Sequence, residues 1–106
     1  MAATARRIPS PRDEPLDRAA AEDMARTLRA VADPTRLQVL SMILGAESGE
    51  ATVGELAAAL GLSQPTVTHH LRIMVEDGLL IREPRGRQVW HSIAPQRRVA
   101  ILDLLR

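Results

Sequence analysis

The chain has 106 residues, 14 basic and 13 acidic side chains for a net charge of +1, and no cysteine; that is enough for one domain with a modest core, which a partner subunit would enlarge. The missing thiols exclude disulfides, thiolate metal sites and thiol redox chemistry. No apolar run is long enough for a membrane span and the N-terminus lacks the apolar core of a signal peptide, so a cytoplasmic protein is expected.

The near-neutral total conceals an asymmetry along the chain. Residues 1–15 carry three arginines against two acids, residues 16–81 five against nine, and residues 82–106 six against Glu83 and Asp103. A basic end on an acidic body suits contact with a polyanion through one part only, although a solvated charged tail would give the same pattern. Every basic side chain is arginine, the better bidentate ligand for phosphate and guanine, yet a compositional bias explains that choice equally well.

Residues 1–15, MAATARRIPSPRDEP, hold three of the seven prolines and no apolar period, and read as a flexible arm whose Arg6, Arg7 and Arg12 are candidates for brushing the phosphates of such a polyanion. Residues 16–106 read as one domain. Leu16 to Ala32 predicts a first helix, with Ala20, Met24, Leu28 and Val31 at helical spacing. Asp33-Pro34 ends it and starts a second, Asp as N-cap and Pro at the first helical position, followed by Leu37, Leu40, Leu44 and then Gly45. Ala46 to Ala51 reads as a small polar loop. Thr52-Val-Gly-Glu55 has the spacing of a capping box ahead of Leu56-Ala-Ala-Ala-Leu60, a two-turn third helix that stops at Gly61.

The fourth helix carries the most information. Ser63 is its N-cap and Gly78 supplies the left-handed position beyond its end. At about 100° per residue, Val67, Leu71, Met74 and Val75 fall on one side and are expected to pack inward. His69 then points away from that core, flanked by Pro65, Thr66, Arg72 and Ile73, with Gln64 and Thr68 on the shoulder and His70 nearer the buried edge. A short helix, a tight turn and a second capped helix make a helix-turn-helix, and the N-terminal end of the second is where a helix in the major groove meets base edges. A ligand-free αα-hairpin is the generic alternative, but a merely solvated helix would more usually present Glu/Lys pairs in place of these polar groups.

Beyond Gly78 the period changes. Leu79 to Arg82 and Gln88 to Ile93 read as strands around Glu83-Pro-Arg-Gly-Arg87, the turn of a hairpin. An arginine-rich hairpin directly after such a helix is a wing, its Arg85 and Arg87 placed for the phosphate backbone or the minor groove. Gln96 to Arg106 predicts a closing helix with Val99, Ile101, Leu102, Leu104 and Leu105 apolar on nearly every side, which calls for a second subunit to cover it.

Taken together, LRAVADPTRLQVLSMIL (28–44), TVGELAAALGLSQPTVTHHLRIMVEDGLL (52–80) and REPRGRQVWHSI (82–93) resemble the ArsR/SmtB family of bacterial winged-helix repressors, over most of residues 16–106. The resemblance implies a mainly α, winged helix-turn-helix fold in the order α-α-α-α-β-β-α. It also implies a homodimer built from the first and last helices, which assigns Leu16, Ala20, Met24, Val99, Leu102 and Leu105 to the subunit interface. The implied function is repression through an imperfect palindrome in double-stranded DNA. The family's base-reading positions fall on Gln64, Thr66, Thr68 and His69, the face already picked out above, and Ser63, Arg72, Arg85 and Arg87 become the backbone and wing contacts.

Metal-sensing members of that family carry a Cys-x-Cys-type motif in the third helix, where this chain has TVGELAAAL, or Asp and His pairs on the last helix, where it has only Asp103. His69 and His70 are about 100° apart on their helix and His91 lies on a strand, so no metal or other cofactor is expected. Catalysis is not expected either: there is no Cys or Tyr, no Gly-rich phosphate loop and no paired carboxylate of acid/base spacing, and Ser63 is accounted for as an N-cap. The remaining alternatives are a winged-helix protein-interaction module, against which the polar face at Gln64 to His69 counts, and a regulator released by a small organic ligand or a protein partner, whose pocket would leave no motif.

Overall fold

Two aspartates set the frame of the helical layer. In the computed structural model, which describes residues 15–105, helix α1 (Arg18–Val31) starts at Asp17, whose Oδ1 accepts from the Ala20 amide at 2.8 Å. Helix α2 (Pro34–Gly45) starts at Asp33, whose Oδ2 accepts from the Arg36 amide at 3.0 Å, with Pro34 where its missing N–H costs nothing. The 1–15 arm, with Arg6, Arg7 and Arg12, lies outside the described residues except for Pro15.

After α2 the chain departs from the sequence reading. The expected loop through Ala51 ends early, because Glu50–Thr52 forms strand β1. Three residues are too few for a period-2 pattern to show, and what makes them a strand is a partner some forty positions away: β1 pairs antiparallel with β3 (Gln88–Ile93), Ala51 opposite His91. The sheet is completed by β2 (Leu80–Arg85) on the other side of β3, giving the order β1-β3-β2.

Helix α3 (Val53–Leu60) begins with the expected capping box: Thr52 Oγ1 accepts from the Glu55 amide at 3.1 Å and Glu55 Oε1 accepts from the Thr52 amide at 2.9 Å. Helix α4 (Gln64–Glu76) is capped by Ser63. It ends through Gly78 at φ +77°, where the Leu79 amide reaches back to the Met74 carbonyl and that of Gly78 to Val75, the paired bonds of a Schellman ending. A single 3-10 turn (Pro95–Arg97) then leads into α5 (Arg98–Leu105).

The core forms around α2. Val39, Leu40 and Ile43 are buried against Leu56 of α3, Val67, Leu71 and Met74 of α4, Leu79 and Leu80 at the entry to the wing, Ile93 of β3 and Ile101 of α5. The closing helix is therefore not left uncovered all round: Ile101 is inserted in the core and Leu105 packs against it, so only Val99, Leu102 and Leu104 remain on the outside.

Candidate nucleic-acid interface

The inward stripe of α4 turns its other side to solvent as helical geometry requires. Val67, Leu71 and Met74 are buried, Val75 is half-buried, and Gln64, Thr66, His69 and Arg72 are exposed. Thr68 is the departure: it is half-buried, turned toward the wing. Ser63 Oγ accepts from the Thr66 amide at 3.3 Å and donates to Thr66 Oγ1 at 2.9 Å, so the cap also fixes one of the outward hydroxyls. Gln64 leans over the start of α3, its Nε2 3.8 Å from where a Cβ on Gly54 would stand.

The two histidines of α4 separate as their positions on the helix dictate. His69 is exposed, its ring tilted 59° to that of His70 with centroids 5.8 Å apart. His70 turns toward the start of α2, where its Nδ1 lies 3.9 Å from Asp33 Oδ2 without a hydrogen bond. Hydrogen bonding from the Arg36 amide, then the charges of His70 and Arg36, hold the Asp33 carboxyl below its usual range against the opposing effect of burial.

The wing is a tighter hairpin than its composition suggests. Pairing runs to Arg85 opposite Gln88, leaving Gly86 and Arg87 as a two-residue turn with Gly86 at φ +62°, as a II′ turn needs at its first central position. Glu83, Pro84 and Arg85 belong to β2, and Pro84 is tolerated there because β2 is an edge strand.

This changes the role of Arg85. Its Nη1 and Nη2 donate to both carboxylate oxygens of Glu50 at 2.7 and 2.9 Å, its Nε and Nη2 donate to Glu83 at 2.9 and 3.0 Å, and its guanidinium lies 5.4 Å from the Trp90 ring centroid. Both carboxylates favour the charged guanidinium and raise its pKa, while Arg85 holds Glu83 below the usual carboxylate range. Arg85 thus braces the wing to β1, and of the two wing arginines Arg87 alone has no protein partner among the described residues. Glu50 and its link to the wing went unread in the sequence, where 35 positions separate the partners.

Apolar side chains also stand exposed on both terminal helices. Leu16, Met24 and Leu28 around α1 are exposed together with Val99, Leu102 and Leu104 of α5, Val99 to 71%. Ala20 is exposed as well, whereas Leu105 belongs to the protein's own core as much as to this exposed set. Arg97 anchors the approach to α5 onto α1 by donating to both oxygens of Asp23 at 3.1 Å, a link across 74 positions that no local motif announces. That pairing lowers the Asp23 pKa and raises that of Arg97.

No three His, Asp or Glu side chains converge among the described residues in a way that would hold a metal ion, and no described helix is long and apolar enough to cross a membrane.

The sequence profile described as "Bacterial regulatory protein, arsR family" matches residues 33–82, from the α2 cap through α4 into the wing. The transcriptional regulator NmtR of Mycobacterium tuberculosis is 36% identical over 89 residues, which is 84% of this chain and 72% of NmtR. A probable mercury resistance operon repressor of Streptomyces lividans is 38% identical over 82 residues, 77% of this chain and 63% of that protein. Among solved structures, HlyU of Vibrio cholerae superposes with a TM-score of 0.73 at 31% identity, covering 85% of this chain and 94% of HlyU. A homodimeric winged helix-turn-helix DNA-binding domain from Mycobacterium bovis, from a possible ArsR-family regulator, superposes with a TM-score of 0.70 at 28% identity, covering 86% of this chain and 83% of that domain.

Proposed function

Because the chain belongs to the ArsR family of bacterial winged-helix DNA-binding transcriptional regulators, we propose that it acts as a homodimeric repressor that inserts α4 of each subunit into the major groove of a palindromic operator and lays the wing along the flanking backbone. The observation that carries this reading is the exposed polar row Gln64, Thr66 and His69 at the N-terminal end of α4. Their chemistry suits base edges: a glutamine amide pairs bidentately with adenine, a threonine offers a hydroxyl and a methyl, and an imidazole donates to guanine or phosphate. Thr68, half-buried, lines the cleft between α4 and the wing, and Ser63 and Arg72 flank the row for phosphate contact.

Support for the dimer comes from the exposed leucines, methionine and valine of α1 and α5 and from the homodimeric state of the similar Mycobacterium bovis domain. Selection of bound sequences from random duplex DNA, followed by footprinting, tests the proposal. The expected result is a palindrome with half-sites about one helical turn apart and a reporter promoter carrying it that becomes more active when the protein is removed. Binding without sequence preference, or a reporter that loses activity, would contradict it.

A further inference from the structure

Between α4 and the wing lies a cleft of about 370 Å³, within the ~300–1,000 Å³ of small-molecule sites. Its walls are apolar, formed by Leu71 and Val75 of α4 and Val89 of β3. Two arginines line it, Arg72 from the helix and Arg82 from the strand, neither with an ion-pair or hydrogen-bond partner among the described residues. Glu76 is the single acid on the lining, so the cleft keeps an excess of positive charge.

His91 completes it. The side chain is 4% exposed and its Nδ1 is buried without a hydrogen-bond partner, an arrangement that costs free energy unless something satisfies it. His91 stands directly opposite Arg82 across the β2/β3 ladder, which puts the imidazole and the guanidinium on one face of the sheet. Burial, and then the charge of Arg82, lower the imidazole pKa and so disfavour its charged form, which leaves the arginines as the source of the site's cationic character.

We propose that this cleft binds a small organic carboxylate with an apolar body, the carboxylate held by the Arg82 and Arg72 guanidiniums and the body lying between Leu71, Val75 and Val89 beside His91. A planar fork of N–H donors matches a carboxylate bidentately, and apolar walls favour an organic acid over inorganic phosphate. Thr68 and Arg72 line the cleft and also flank the helix face that meets DNA. An occupant bridging α4 and the wing therefore fixes the angle between the two DNA-contacting elements and withdraws Arg72 from phosphate. That regulatory consequence rests on the DNA-binding reading above, whereas ligand binding itself does not.

The test is titration of protein labelled with ¹⁵N-histidine with 2-naphthoate, using 2-naphthamide and inorganic phosphate as controls, while the ring resonances of His91 are followed with His69 and His70 as internal references. The expected result is a saturable shift confined to His91 with the carboxylate, weakened about tenfold or more in Arg82→Met and abolished in Val89→Trp, with both variants keeping the parent's folded spectrum. Shifts at His69 and His70 without His91, an equal effect of the amide or of phosphate, or an unchanged response in Arg82→Met would each overturn the proposal. Anisotropy of a labelled operator duplex is measured in parallel, with 2-naphthoate expected to lower its affinity. A protein that binds no DNA would refute the functional reading, while the His91 titration would still decide the cleft.

Discussion

Each outward side chain of α4 is placed by its register against the buried Val67, Leu71 and Met74, so the base-reading role proposed for it is testable by truncation. Gln64→Ala and His69→Ala should each cost about 1–3 kcal/mol at the selected operator while leaving non-specific binding nearly unchanged, read by anisotropy with specific and scrambled duplexes. The wing arginines should behave differently from one another. Arg87→Ala should reduce the slope of log affinity against log salt by about one unit, whereas Arg85→Ala, which releases Glu50 and Glu83, should chiefly loosen the hairpin, seen as a change in Trp90 fluorescence. His91 sets a pH dependence of stability. Its folded pKa lies below its ordinary value of 6.5, so below that pH the unfolded chain takes up a proton that the folded chain refuses, and stability falls as pH drops. The melting temperature should therefore decline from pH 7 to pH 5.5, less so in His91→Gln, and separately from the carboxylates Asp23, Asp33 and Glu83, whose lowered values act only at more acid pH.

The helices were legible in the sequence because what starts and stops them is local. Asp17 apart, the caps at Asp33, Thr52 and Ser63 and the stops at Gly61 and Gly78 could all be read from three or four consecutive residues. The sheet was only half legible. The wing hairpin announces itself through Gly86, but the position of Pro84 inside β2 depends on that strand being an edge, and β1 exists only because Ala51 meets His91 across the ladder. For the same reason Arg85 could be recognised as a wing residue but not as a brace to Glu50, and Arg97 not at all. The capping box is the device whose removal is cleanest to measure: Thr52→Ala should destabilise the fold by about 1 kcal/mol, and Glu55→Gln, which keeps an acceptor for the Thr52 amide, by less. Chemical denaturation should resolve the two, and equal effects would mean that charge at the start of α3 matters more than the reciprocal hydrogen bonds.

At the scale of the whole molecule, the apolar side chains of the terminal helices are divided between a core that the chain completes by itself and exposed positions that it leaves uncovered. Ile101 and the inner side of Leu105 belong to the first, and Leu16, Met24, Leu28, Val99, Leu102 and Leu104 to the second. Deleting the last helix would therefore confound folding with association, since it removes Ile101 from the core. Charge on the outer face avoids that: Val99→Glu together with Leu102→Glu leaves Ile101 in place while making these exposed positions costly to bury. Sedimentation of the parent at micromolar concentration should give a dimer and the double variant a monomer with the parent's helical content. Because two half-sites held by one dimer gain roughly 10²–10⁴ in avidity over a single contact, the variant should lose at least about a hundredfold in affinity for the full palindrome yet bind an isolated half-site as the parent's single head does. A parent that sediments as a monomer, or a monomeric variant that holds the palindrome undiminished, would show that the α1 and α5 surface serves some purpose other than joining two reading heads.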